Sequence, residues 1–246
     1  MPSLDEFVKF CKSCSEYIRI IIEDYRESLS WTLKQDGSRV TDIDFRIEDY
    51  LRGQIASKFP GHGIFGEERD PINTSSEIAW ILDPIDGTYG FSKGSPLFGT
   101  LIGLTFKGVP HYGYMYLPFL HNTWLAGDCK KILKNGKPFL PKSFSGWKES
   151  LILTTDQQTL ENSEILPYWQ KAIDLGSTAR TWGDCYGYYL LSLGEASLVA
   201  DVGLKPCDII PLVPIILGSG HEIKQFGSNN FSNIVAARKE VLETLF

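Results

Sequence analysis

Ile78-Ala79-Trp80-Ile81-Leu82-Asp83-Pro84-Ile85-Asp86-Gly87-Thr88 stands fifteen residues downstream of Gly66-Glu67-Glu68, counted from Glu68 to Asp83. The first five residues have the aliphatic and aromatic character of a buried strand. Acids follow at once, and unpaired charge directly after a buried strand is costly unless something neutralises it. Gly63–Glu67 reads as a second, shorter strand. Two strands that each end in carboxylates can bring those carboxylates to one point. Neighbouring residues on a strand face opposite ways, so one of Glu67 and Glu68 reaches that point while the other supports it. Pro84 stiffens the turn, and Gly87 permits a conformation or a close approach that a β-carbon would block. Asp83 and Asp86 then flank the bend, where they can share or split a pair of cations. The Ile85 carbonyl, turned outward, could add a further hard oxygen. Oxygen-only ligation suits Mg²⁺ better than zinc. A helix beginning near Thr88 would offer unpaired N–H groups to a phosphate.

Upstream, Leu4, Phe7, Cys11, Cys14, Ile18, Ile21 and Tyr25 recur at helical spacing, which predicts a long amphipathic helix over residues 3–28. Cys11 and Cys14 form a C-x-x-C within it and read as helix-face residues rather than a zinc or redox pair. Asp36-Gly37 marks a turn between Trp31–Lys34 and Arg39–Thr41. Asp42 or Asp44 then opens a second helix with Ile43, Ile47, Tyr50, Leu51 and Ile55 on one face, ending near Pro60-Gly61.

Downstream, Leu97–Phe106, Val109–Leu117 and Asn122–Ala126 read as antiparallel strands. Leu151–Thr154 and Ser197–Asp201 also read as strands, and Tyr186–Leu193 as a helix ending at Gly194. Asp208–Leu217 reads as one apolar helix kinked at Pro214. Helices grouped outside antiparallel runs imply an α+β layered fold rather than a regular βαβ alternation. Residues 127–148, rich in Lys, Gly and Pro, would connect a metal-binding α+β half (1–126) to a substrate-side α/β half (149–246) within one catalytic unit.

The 246 residues carry 30 acids against 24 Lys and Arg, a net charge of −6. That balance excludes a polyanion as the main partner: no nucleic acid is expected. A small phosphate whose charge a metal can meet remains compatible. The longest apolar runs fall far short of a membrane span, so no membrane is expected either. The acids near the N-terminus and the five irregularly spaced cysteines predict a cytoplasmic protein. The four histidines are scattered without ligand spacing.

The Glu67-Glu68 pair and the hexamer D-P-I-D-G-T of 83–88 resemble the signature of the inositol monophosphatase family of metal-dependent phosphatases. Lys34–Asp44 (K-Q-D-G-S-R-V-T-D-I-D) is similar to that family's upstream loop and helix entry, and Asp208 to its last metal ligand. The resemblance covers roughly residues 1–220 and implies the family's layered αβαβα sandwich, a Mg²⁺ cofactor, a small phosphorylated metabolite as substrate and a homodimer. Carried over residue by residue, it implies that Glu67, Asp83 and the Ile85 carbonyl hold one metal. Asp83, Asp86 and Asp208 would hold a second. Thr88, hydrogen-bonded to Asp44, would orient the attacking water beside Glu67. The reaction implied is phosphate monoester hydrolysis by a two- or three-metal mechanism. On local sequence alone a helix N-cap is the favoured reading of Asp208, and the family resemblance reverses it.

Arg180-Thr-Trp-Gly-Asp-Cys-Tyr-Gly-Tyr188 closely resembles the matching segment of the histidinol-phosphate phosphatases in this superfamily. Lys205-Pro-Cys-Asp208 is similar to their L-K-P-W-D, with Cys207 in place of the tryptophan. The implied reaction is histidinol phosphate to histidinol, in histidine biosynthesis. Together with Asp86, Gly87 and Thr88, Asp184 and Asp201 are the candidate substrate contacts. Asp184 either pairs with a cationic amine or imidazolium or caps the helix at Tyr186. Asp201 either meets a hydroxyl or amine or is solvated at a strand end, and Trp182 reads as core packing. The rival substrates are inositol 1-phosphate or another sugar phosphate. A 3'-phosphonucleotidase would need an adenine-stacking feature that is not evident. A non-catalytic metal-binding relative is disfavoured by the intact acids.

Overall fold

Leu4–Tyr25 forms α1, whose inward stripe of Phe7, Cys11, Cys14, Ile18 and Ile22 is buried as its spacing requires. The computed structural model describes residues 1–25, 30–227 and 231–246. The predicted extension of α1 over 26–28 lies outside the described residues. Cys11 and Cys14 are free and packed in the core, as the helix-face reading expects.

Trp31–Leu33 (β1) and Arg39–Thr41 (β2) pair antiparallel across the Asp36-Gly37 turn. Asp42–Lys58 forms α2 and buries Ile43, Ile47, Leu51 and Ile55. Its N-cap is Thr41, one residue before the first acid proposed to open it. The Thr41 hydroxyl accepts from the Ile43 amide at 3.2 Å, and the Asp44 carboxylate accepts from the Thr41 amide at 2.9 Å. Asp44 thus closes a capping box at the third helical position.

Gly63–Gly66 (β3) runs parallel to Ile78–Asp86 (β4), with Gly66 opposite Leu82. That register carries Glu67 to the side of Asp83. β4 outruns the expected Leu82 because it pairs antiparallel with Gly99–Phe106 (β5) as far as Asp83↔Leu101, then resumes at Asp86↔Gly99. The extra residue lies at Pro84-Ile85, a bulge that a proline without an N–H favours. The helix expected near Thr88 begins there but ends at Phe91 (α3, Thr88–Phe91). So short a helix has almost no summed dipole.

Val109–Leu117 (β6), Thr123–Gly127 (β7), Ile132–Lys134 (β8) and Lys137–Phe139 (β9) complete a seven-stranded sheet in the order β3-β4-β5-β6-β7-β8-β9. Within the expected connection 127–148, residues 132–139 therefore form a hairpin that extends this sheet.

The second half contributes Leu151–Leu153 (β10), Gln157–Glu161 (α4), Leu166–Asp174 (α5), Thr178–Arg180 (β11), Asp184–Leu193 (α6) and Leu198–Val202 (β12). Pro206–Ile209 (α7), Val213–Gly218 (α8), Glu222–Phe226 (β13), Asn233–Ala237 (β14) and Lys239–Leu245 (α9) follow. Five strands order as β11-β10-β12-β14-β13. The single helix predicted over 208–217 is instead two short helices. Pro214 lies in the first turn of α8, where its missing N–H costs nothing, so it starts a helix rather than kinking one.

Strand alternation divides the core into three seams. On β6, Tyr114 and Tyr116 face α1 and α2, while Met115 and Leu117 face the interior helices α6 and α8. On β12, Val199 faces those same helices, and Leu198 and Ala200 face α5 and α9. The result is an α+β sandwich with layers in the order αβαβα. Among the described residues, no helix is long and apolar enough to cross a membrane.

Candidate active site

The loop after β3 is shaped by a buried acid that the sequence reading overlooked. Glu48 of α2 accepts from the Glu68 amide at 2.7 Å, the Arg69 amide at 3.1 Å and the Arg52 side chain at 2.7 Å. A β-carbon on Gly66 would fall 2.1 Å from the Glu48 carboxylate, so glycine is required for the loop to close over it. Glu48-x-x-x-Arg52 on the buried side of an amphipathic helix was the available signal.

This loop holds Glu67 toward the carboxylates of β4, as the parallel register dictates. Oxygen atoms of Glu67, Asp83 and Asp208 and the sulfur of Cys207 lie within 4.8 Å of one another. Asp83 is almost fully buried, and its Oδ1 has no hydrogen-bond partner among the described residues. Burial, then the charges of Glu67, Asp86 and Asp208, push its carboxyl well above the usual range. Asp86 is raised by burial and by Asp184 and Asp208, although the Cys185 amide donates to its Oδ2.

Asp208 sits at the third position of α7, behind Pro206, and reaches back to accept from the Lys205 amide at 2.8 Å. It is therefore not the N-cap that local sequence allowed, because the proline starts the helix two residues earlier. Its other oxygen lies 3.2 Å from the Cys207 thiol.

Two lysines meet the acids from the hairpin side. Lys34 donates to Glu67 at 2.8 Å and Glu68 at 2.6 Å; Lys205 reaches Glu67 at 3.2 Å and Asp36 at 2.9 Å. Glu68, drawn to Lys34, takes the supporting position expected of one member of the pair. Its carboxyl is pushed up to about 7, burial outweighing the lysine.

Thr88 begins α3 with its hydroxyl 2.7 Å from the Ile85 carbonyl and 3.2 Å from Asp44 Oδ1. One hydroxyl proton cannot fully serve both acceptors. Asp44 is wholly buried behind Thr88, and burial lifts its carboxyl to about 6. Gly87 has φ +92°, and a β-carbon there would stand 3.2 Å from the Asp184 carboxylate. Glycine thus permits both the turn and the close approach of a second acid.

A cavity of about 710 Å³ is lined by Glu67, Asp83, Ile85, Asp86, Gly87, Thr88, Asp184 and Asp208. Asp44 does not line it but lies buried next to Thr88. Asp201 instead lines an adjoining 190 Å³ cavity that shares Asp86, Asp184 and Asp208 with the first. It is buried within β12, not solvated at a strand end, and accepts from the Thr155 amide at 2.7 Å. The helix cap at α6 belongs to Gly183, so the capping role open to Asp184 is not what the fold uses. Asp184 adopts φ +49°, a left-handed conformation rare for a residue with a β-carbon, with its amide bonded to the Thr155 hydroxyl at 2.8 Å. Its carboxyl rises to about 7 through burial and the charges of Asp201 and Asp208. Trp182 is 43% exposed at the cavity rim, which corrects its reading as core.

The rim also carries Arg39, whose guanidinium stacks 3.9 Å from the Trp31 ring centroid and 4.3 Å from that of Tyr89. Nothing in the local pattern around Arg39 announces this stack, which joins residues from the hairpin and from α3.

Mutually repelling buried carboxylates, two of which (Asp83 and Asp201) have an oxygen without a hydrogen-bond partner among the described residues, fit divalent cations held mainly by hard oxygen donors. The comparisons with known proteins agree. A sequence profile described as the inositol monophosphatase family matches residues 3–244. The chain is 32% identical over 231 residues to the chloroplastic bifunctional phosphatase IMPL2 of Arabidopsis thaliana, covering 93% of this chain and 66% of that protein. It is 34% identical over 196 residues to a histidinol-phosphatase of Chlorobaculum parvum, covering 79% and 75% respectively. An inositol monophosphatase structure from Zymomonas mobilis superposes with a TM-score of 0.80 at 28% identity, covering all of this chain and 98% of the other.

Proposed function

Since the chain belongs to the inositol monophosphatase family, a family of metal-dependent phosphatases, we propose that it is a Mg²⁺-dependent monoesterase acting on histidinol phosphate. The observation that carries the substrate is the Asp184 carboxylate, held in a strained backbone conformation beside the turn of Gly87. A substrate whose phosphate lay at Asp83, Asp86 and Asp208 would present the rest of its structure to Asp184 and to Asp201 in the adjoining cavity. Such a wall suits a cationic amine or imidazolium better than a polyol. The similarity to a histidinol-phosphatase over four-fifths of the chain supports the same reading.

Glu67, Asp83, Asp86, Asp208 and the Ile85 carbonyl would hold the cations. When bound, these supply positive charge to the phosphoryl oxygens and the leaving oxygen and acidify the attacking water. The chain's own groups then do the positioning. Thr88, whose hydroxyl lies 3.2 Å from Asp44 Oδ1, would accept a proton from water approaching beside Glu67 as it passes its own proton to the Asp44 carboxylate. Lys34 keeps Glu68 turned away and limits the negative charge around Glu67. Gly87 clears the space through which the substrate's amine end would reach Asp184.

The test is Mg²⁺-dependent phosphate release from histidinol phosphate, inositol 1-phosphate, fructose bisphosphate and 3'-phosphoadenosine phosphate. Histidinol phosphate should have the highest kcat/KM. Asp184→Ala should lower that value by on the order of a hundredfold, the loss of one desolvated charge pair, and the inositol value far less. Equal losses on both substrates would refute the role given to Asp184.

The proposal extends to a homodimer in the cytoplasm. All five cysteines are free, the state a reducing compartment maintains, and the dimer rests on the family resemblance. Light scattering should return twice the 27.7 kDa of one chain; a single-chain mass would remove the dimer.

A further inference from the structure

Cys207 has no part in the reaction proposed above, yet its sulfur is one of the four donor atoms that lie within 4.8 Å of one another. It occupies the second position of α7, is 8% exposed, and points its thiol at Asp208 Oδ1 across 3.2 Å. Asp83, buried and with its Oδ1 lacking a hydrogen-bond partner among the described residues, supplies an oxygen to the same cluster. Sulfur is a poor ligand for Mg²⁺, which demands hard oxygen and near-octahedral geometry. Zn²⁺ and Cd²⁺ accept sulfur readily, and one thiolate with three carboxylates is a complete tetrahedral set for zinc.

We propose that Cys207, Glu67, Asp83 and Asp208 form a site for a thiophilic divalent cation, which excludes Mg²⁺ and arrests the enzyme. On binding, the sulfur–metal bond forms and the thiol proton passes to solvent; no electron is transferred. The three carboxylates gain neutralisation that a hard cation would also provide, and the thiolate adds a bond that Mg²⁺ cannot match. Entry is available from two sides, because Glu67, Asp83 and Asp208 line the 710 Å³ cavity while Cys207 and Glu67 line a second cavity of about 680 Å³ beside the β1–β2 hairpin. Lys34 and Lys205, which border that cavity, would release Glu67 as the cation takes their place.

The full chain, stripped of metal and titrated with Cd²⁺ at fixed pH, tests this. An ultraviolet thiolate-to-cadmium band should grow to saturation at one equivalent. It should persist in Cys129→Ser, which alters a half-buried thiol elsewhere, and vanish in Cys207→Ser. The Zn²⁺ concentration that halves each variant's own Mg²⁺-supported rate should rise in Cys207→Ser by on the order of tenfold to a hundredfold, at least the effect of losing an outer-shell partner. A wild-type chain without the band, or a band that survives in Cys207→Ser, overturns the site. Zinc inhibition unmoved by the substitution overturns the competition with Mg²⁺. If Cys207→Ser does not fold, cadmium NMR of the wild-type chain decides instead: a sulfur-shifted resonance supports the site and an oxygen-only resonance refutes it.

Discussion

Asp86→Asn is expected to lower phosphate release by on the order of a thousandfold, the scale of losing one preorganised electrostatic contact or more. The same substitution should raise the melting temperature of the metal-free chain. The two effects have one cause. Asp86 is 8% exposed and stands among Asp83, Asp184 and Asp208, so without cations its charge is repelled from several sides. Asparagine keeps the shape and can still accept from the Cys185 amide, while its new N–H donors find carboxylate acceptors close by. Stability therefore improves as cation affinity is lost. Phosphate-release kinetics with calorimetry, with and without Mg²⁺, measure both halves. Near-normal turnover would remove Asp86 from the site, and a lowered metal-free melting temperature would contradict the repulsion.

Metal-free protein should be more stable near pH 5.5 than near pH 8, and Mg²⁺ should stabilise it more at the higher pH. The carboxyls of Asp44, Glu68 and Asp184 are raised to about 6, 7 and 7, chiefly by burial. Their folded values lie above their unfolded ones, so between about 4 and 7 the folded chain holds protons that the unfolded chain has released. Stability from these groups is complete at low pH and is lost as pH rises through that window. For Asp44 alone, the rise from 3.8 to about 6 corresponds to about 3 kcal/mol across the interval. His221, held neutral by burial with a value of about 4, works in the opposite direction below 6.5, but it is a single group. A divalent cation replaces the missing protons and adds about 2.7 kcal/mol at a hundred times its dissociation constant. Scanning calorimetry at the two pH values, in EDTA and in Mg²⁺, gives the comparison. An equal Mg²⁺ shift at both would mean that the cation and the protons do not compete for these acids.

Much of the frame was legible because it depends on neighbours in sequence. The stripe from Phe7 to Ile21 needs only the helical period, and Asp36-Gly37 needs only turn chemistry. The strands Val109–Leu117 and Thr123–Gly127 follow from their flanking punctuation to within a residue or so. Local reading failed where two explanations share one signal. Pro214 looks alike as a kink and as a first turn, and only the break between α7 and α8 tells the two apart. Residues 132–139 have the composition of a loop, yet the open edge of β7 supplies the hydrogen bonds that make them strands. Glu48 was missed because its partners, the amides of Glu68 and Arg69, are about twenty residues away.

The residues of 66–68 and 83–88 place acids directly after buried strands, which is enough to specify a demand for neutralisation, whereas Asp208 joined them only through the family resemblance. Their meeting is another matter. It depends on Gly66 pairing with Leu82 in parallel register, on a one-residue bulge at Pro84-Ile85, and on α7 returning across the sheet to deliver Asp208 and the Cys207 thiol. Composition carries the chemistry of a side chain, whereas its distance from a residue more than a hundred positions away is set by packing between layers.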